Sequence, residues 1–207
     1  MKAALFDLDG VIIDTEPQYT EYWRSVGRKF FPDDKDFALK LKGQTLTCIF
    51  DKFFSALPEI RQEVCRSLEE FERTMDYPYV EGAVDYVSAL RKAGIQTAIV
   101  TSSNQEKMEC LWRVHPELRK VFCRIFTAED TTKSKPAPDC YILAAKALGV
   151  TAKDCYVFED SFNGLQAARA SGAYVVGLST SNPVEKIRDL CDEVIPDFVS
   201  YRAGLDG

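Results

Sequence analysis

The chain has 207 residues, 46% of them hydrophobic, with a formal net charge of -6 and a pI near 5.0. That length allows a sizeable core, built as one domain or as a core with a smaller insert. The acidic balance excludes a general nucleic-acid or anionic-membrane role, since both need a basic surface, while a small phosphorylated molecule can still bind locally. The seven cysteines, at 48, 65, 110, 123, 140, 155 and 191, form no Cys-x-x-Cys pair, and the single His115 stands beside Pro116. This opposes a zinc cluster and reads as reduced thiols in a cytoplasmic protein. The apolar run Ala3 to Phe6 is too short for a signal peptide, and no segment approaches a membrane span.

The first predicted element is a strand over 3–8, and its end poses a problem. Asp7 and Asp9 follow an apolar run that reads as buried on both faces, where ionised carboxylates cost several kcal/mol unless compensated. A solvated turn with Asp9-Gly10 at its tip is one reading. A calcium loop of the EF-hand kind fails, because Gly10 at its sixth position puts Leu5 at the first ligand position.

From 16 to 78 the spacing turns helical, with Tyr19, Tyr22, Trp23 and Val26, then Ile49, Phe50, Phe53, Phe54 and Leu57. Breaks fall near Phe31-Pro32-Asp33, Lys42-Gly43 and Leu57-Pro58. From Tyr79 onward helices and strands alternate: helix 82–93, strand 95–100, helix 104–113, strand 123–127, helix 138–148, strand 155–158, helix 162–171, strand 173–178, helix 183–190 and strand 193–195. The alternation predicts an α/β fold, a doubly wound, Rossmann-like parallel sheet. It is built from 1–15 and 79–207, with 16–78 inserted as a helical cap.

In such a sheet ligands bind at the carboxyl ends of the strands. Asp7 and Asp9, Thr101 to Ser103, Lys133 and Lys135, and Glu159 and Asp160 all follow predicted strands. Carboxylates crowded at one sheet edge repel one another without a cation. Magnesium, held by oxygen ligands and by substrate phosphate, suits Asp7, Glu159 and Asp160. Lys135, the Thr101 hydroxyl and amides at the start of helix 104–113 can then take phosphoryl oxygens. With its charge screened, Asp7 can attack phosphorus, while Asp9 gives and takes the protons.

Phe6-Asp7-Leu8-Asp9-Gly10, Thr101 after an apolar strand, Lys135 in Ser134-Lys135-Pro136-Ala137-Pro138-Asp139, and Glu159-Asp160-Ser161 with Gly164 closely resemble the four motifs of the haloacid dehalogenase-like superfamily. The insert looks like the small cap of its branch of β-phosphoglucomutases and sugar-phosphate phosphatases. The resemblance implies Asp7 as nucleophile and metal ligand, and Asp9 as acid/base and metal ligand through its carbonyl. It implies Thr101 and Lys135 as phosphoryl binders, and Glu159 and Asp160 as metal carboxylates with Mg2+ as cofactor. Ser102, Ser103 and Asn104, with Glu16, Lys42, Gly43 and Gln44 of the insert, are the candidate substrate contacts.

Where the mutases place a histidine after the first motif and an arginine after the cap Lys-Gly, this chain has Tyr19 and Leu46. Hydrolysis by a monomeric phosphatase of a small phosphorylated metabolite, with neither nucleic acid nor membrane as partner, is the expectation. A phosphomutase is the alternative, and a pyrophosphatase or an idle binding module lies further off.

Overall fold

The computed structural model describes residues 1–41 and 46–205, and the chain divides into two compact units, Met1–Asp14 with Tyr77–Gly207, and Thr15–Asp76. The first unit is built on six parallel strands: β1 (Ala3–Phe6), β2 (Gln96–Val100), β3 (Arg124–Phe126), β4 (Cys155–Glu159), β5 (Tyr174–Leu178) and β6 (Glu193–Ile195). Their order across the sheet is β3-β2-β1-β4-β5-β6. β1 therefore lies between β2 and β4, with Leu5 opposite Ala98 on one side and Val157 on the other. Helices alternate with the strands, as parallel crossovers require: α5 (Ala83–Lys92), α6 (Gln105–Val114), α7 (Leu118–Val121), α8 (Asp139–Ala147), α9 (Phe162–Ser171) and α10 (Val184–Ile187).

All four residues of β1 are fully buried, which explains a strand apolar on both faces. Ala3 and Leu5 face a cluster that includes Tyr141 and Ala144 of α8 and Leu165 and Ala168 of α9. Phe6 stacks on Phe158 of β4 with ring centroids 4.6 Å apart, inside an aromatic group completed by Tyr86, Phe122, Phe198 and Tyr201.

The second unit holds α1 (Glu16–Phe30), α2 (Phe37–Leu41), α3 (Leu46–Phe53) and α4 (Pro58–Thr74). Its apolar stripes close on a core of Tyr22, Trp23, Val26, Phe37, Ile49, Phe54, Val64 and Leu68. α1 stops at the predicted break before Pro32, and α4 starts on Pro58. The predicted break at Lys42-Gly43 lies outside the described residues.

Three details depart from the sequence reading. β1 ends at Phe6 rather than at residue 8, because the amides of Val11, Ile12 and Ile13 all turn back onto the Leu8 carbonyl, with Gly10 at φ +73°. The predicted helix 183–190 is α10 followed by a 3-10 turn, Arg188–Leu190. α7 was not anticipated, its four residues being too few to show periodicity. Among the described residues no helix is long and apolar enough to cross a membrane.

Candidate active site

The strands set the geometry. The Asp7 amide donates to the Phe158 carbonyl at 2.9 Å, one step beyond the β1–β4 ladder, so its side chain leaves the sheet at the carboxyl edge. Thr101 follows β2, its amide bonded to Phe126 of β3, and Glu159 and Asp160 stand at the end of β4. Lys135 arrives from the connection before α8, across a cis peptide bond to Pro136. Lys133, in the same connection, is exposed.

Lys135 is buried, and its ammonium meets three acceptors: Asp7 Oδ1 at 2.7 Å, Glu159 Oε1 at 2.6 Å and the Val100 carbonyl at 3.1 Å. An ammonium has three protons, so each has a partner. The Glu159 carboxylate is fully buried and held by five donors. Lys135 and the Tyr141 hydroxyl bind Oε1, while the amides of Asp160 and Ser161 and the Ser161 hydroxyl bind Oε2. That places Glu159 over the first turn of α9, where amide dipoles favour an anion.

The loop after β5 completes this side. Ser181 donates its hydroxyl to Asp160 Oδ2, Asn182 donates to the Asp160 carbonyl at 3.0 Å, and Thr180 donates to the Gly10 carbonyl at 2.6 Å. A side chain at Gly10 would fall on the Asp160 carboxylate, so glycine there serves both the positive φ and the approach.

Burial lifts the Asp7 acid from its ordinary value to about 7; Lys135 opposes this and the Glu159 charge adds to it. Burial, then the Glu159 and Asp7 charges, push Asp160 well above the carboxylate range. For Lys135 burial pulls downward, but Asp7 and Glu159 outweigh it and hold the ammonium well above its usual value. The Lys135 ammonium meets two of three carboxylates, Asp7, Glu159 and Asp160, which bring one oxygen each to within 4.8 Å of the others. A hard, oxygen-seeking divalent cation is the group that this donor set fits.

Asp9 is held from the next strand over. Ser103 Oγ donates to its Oδ2 at 3.1 Å, and Lys107 Nζ lies 2.6 Å from both carboxylate oxygens. Of the other predicted contacts, the Asn104 side chain caps α6 by accepting the Lys107 amide, Thr101 Oγ1 accepts the Ser103 amide at 3.0 Å, and Ser102 is exposed. Glu16 opens α1 in the helical unit, where its carboxylate accepts from Thr20. Lys42, Gly43 and Gln44 lie outside the described residues.

Lys107, Tyr141 and the Thr180-Ser181-Asn182 loop escaped the sequence reading. Lys107 carried a signal: it shares the buried face of α6 with Met108 and Leu111, where a cation has no business without a counter-ion. The other two carried none, since a tyrosine on a helix and a Ser/Asn turn are commonplace.

A family model described as haloacid dehalogenase-like hydrolase matches residues 1–172. The chain belongs to that family. It is 33% identical over 177 residues to a fructose-1-phosphate phosphatase of Escherichia coli, covering 81% of this chain and 91% of the relative. It is 28% identical over 197 residues to hexitol phosphatase A of the same organism, covering 91% and 88%. Among solved structures, a family IA, variant 3 hydrolase from Entamoeba histolytica superposes with a TM-score of 0.81 at 26% identity, covering 100% of this chain and 98% of that one.

Proposed function

We propose that the protein is a magnesium-dependent phosphatase that hydrolyses a sugar or polyol phosphate in the cytoplasm through an aspartyl-phosphate on Asp7. The observation that carries this reading is the convergence of Asp7, Glu159 and Asp160 oxygens within 4.8 Å beside a buried lysine, at the carboxyl edge of the central strands. The similarity to phosphatases of fructose 1-phosphate and hexitol phosphates supports the substrate class.

A magnesium ion held by Asp7, Asp160 and Glu159, and by the Asp9 carbonyl, would neutralise the carboxylates and polarise the phosphoryl group. Asp7 then attacks phosphorus as the bond to the leaving oxygen breaks, and that oxygen takes its proton from the Asp9 carboxyl. In the second half water attacks phosphorus, Asp9 takes back a proton, and the Asp7–phosphorus bond breaks. Lys135 and the Thr101 hydroxyl hold phosphoryl oxygens throughout.

A mutase must also grip the phosphate that is not reacting, which calls for cations in the insert. Lys40, one candidate, pairs with Asp34 at 2.6 Å, and position 46 is leucine. Water is therefore the expected acceptor. Incubation with sugar and polyol phosphates should release inorganic phosphate with Mg2+, stop in EDTA and resume when Mg2+ is returned. Glucose 1-phosphate with a bisphosphate primer should show little isomerisation. Release that persists in EDTA would remove the metal from the mechanism, and isomerisation outrunning release would make the enzyme a mutase.

A further inference from the structure

Lys107 and Lys135 are both buried, at 5% and 6% exposure. Lys135 belongs to the phosphoryl site; Lys107 has no part in the chemistry described so far. It stands near the start of α6, its amide taken by the Asn104 cap, and its ammonium reaches both oxygens of Asp9 at 2.6 Å. The hydroxyl of Ser103, from the same connection, grips one of those oxygens as well. Asp9 itself keeps 32% of its side chain open.

As a fold-stabilising device the pair is a poor choice. A buried ion pair is weak evidence for stability, because an apolar residue of similar size often does as well, whereas an exposed carboxylate is content with water. What the bidentate contact does is fix a direction. A single-bonded aspartate can turn about its terminal torsion, but one whose two oxygens share an ammonium cannot turn without stretching a contact.

We propose that Lys107 is a positioning residue for Asp9, fixing the carboxyl group in the orientation from which it protonates the leaving oxygen and later accepts a proton from water. The lysine stays an ammonium in both half-reactions and exchanges no proton; when Asp9 is the acid, Lys107 holds the oxygen that does not carry the proton. The segment that presents Thr101 to the phosphoryl group thus also aims the acid, so both groups are set by one β2–α6 connection. This rests on the acid/base role proposed above for Asp9.

The test compares two esters of one shape in single turnovers with enzyme in excess: phenyl phosphate, whose leaving group needs a proton, and p-nitrophenyl phosphate, whose leaving group does not. Lys107→Met should slow phenol release by roughly 10²-fold, the loss typical of a displaced catalytic group, and nitrophenol release by less than about tenfold. Lys107→Arg, which keeps the charge, should recover part of the phenol rate. In an Asp9→Asn background, Lys107→Met should add no loss beyond about threefold, as expected if both act in one step.

An equal loss on both esters, or the same loss again in the Asp9→Asn enzyme, would overturn the proposal. If the Met protein does not fold, Lys107→Gln and Lys107→Arg carry the same comparison. Full phenol release by Asp9→Asn alone would bring down the acid/base reading and this proposal together; a slow Asp9→Asn enzyme beside a Lys107→Met enzyme of normal rate on both esters would bring down this proposal alone.

Discussion

Asp7→Asn should lower turnover by about 10⁴- to 10⁶-fold, the range seen when a covalent nucleophile is removed. The amide keeps the shape and can still accept from Lys135 Nζ, which lies 2.7 Å from Asp7 Oδ1, so the sheet edge should stay assembled. Stability should move the other way. Burial raises the Asp7 acid to about 7, so its neutral form suits the fold, and that contribution is complete below the unfolded value near 4 and lost as the pH rises through about 7. Asparagine imitates the neutral acid at every pH. In EDTA at pH 8 the variant should therefore melt above the wild type, with the gap closing towards pH 4. Saturating Mg2+ should reverse the order, because only the wild type has the full ligand set. Thermal melts over that grid, with phosphate release beside them, read both effects; an active Asn variant would reject the nucleophile assignment.

Gly164→Ala should be strongly damaging for a single added methyl. Gly164 lies in the first turn of α9, capped by Ser161, whose hydroxyl accepts its amide at 3.1 Å. A Cβ at this position falls inside the Glu159 carboxylate. No backbone strain is involved, since the φ is not positive, and the penalty is purely steric. Glu159 cannot step aside without abandoning Lys135, Tyr141 and three donors of its own turn. Breaking such a buried pair costs about 3 to 5 kcal/mol, equivalent at this chain length to roughly 10 °C of melting temperature. Phosphate release should fall with it, because Lys135 loses its second carboxylate. Shortening the acid, as Glu159→Ala in the Gly164→Ala protein, should recover part of the melting temperature by removing the clash. An alanine variant that melts with the wild type would mean that the carboxylate lies elsewhere.

The order of helices and strands was readable because both periods are clean here. β1, β2 and β4 are apolar on both faces, and the insert repeats its aromatics at helical spacing. The groups that follow each strand were readable because a charged or hydroxyl residue next to a buried run needs a partner. Which partner it finds was not readable. Asp9 and Lys107 are 98 residues apart in the chain, and Tyr141 reaches Glu159 from a helix whose sequence shows only an apolar face. Likewise the position of Asn104, a candidate substrate contact, did not reveal that its side-chain oxygen accepts the Lys107 amide in the first turn of α6. Sequence places a polar group at an edge; the rotamer decides whether it faces the substrate or its own backbone.

The aromatic group beneath β1 bears on how the chain folds as it is made. Phe6 is synthesised long before its stacking partner Phe158, which in turn packs against Phe198 and Tyr201. β1 takes its first neighbour from residues 96–100 and its second from 155–159. Every contact that buries it is thus long-range, and such pairings form slowly because the intervening loop must close first. The strand that leads into Asp7 and Asp9 must wait, exposed, for rings added almost two hundred residues later, and during that wait a short apolar run is open to chaperones and to other chains. Released truncated chains should show this in pulse proteolysis: those ending at 195 should be cut around Phe6 and those extended to 205 protected, whereas protection already present at 195 would show that the core closes without its last rings.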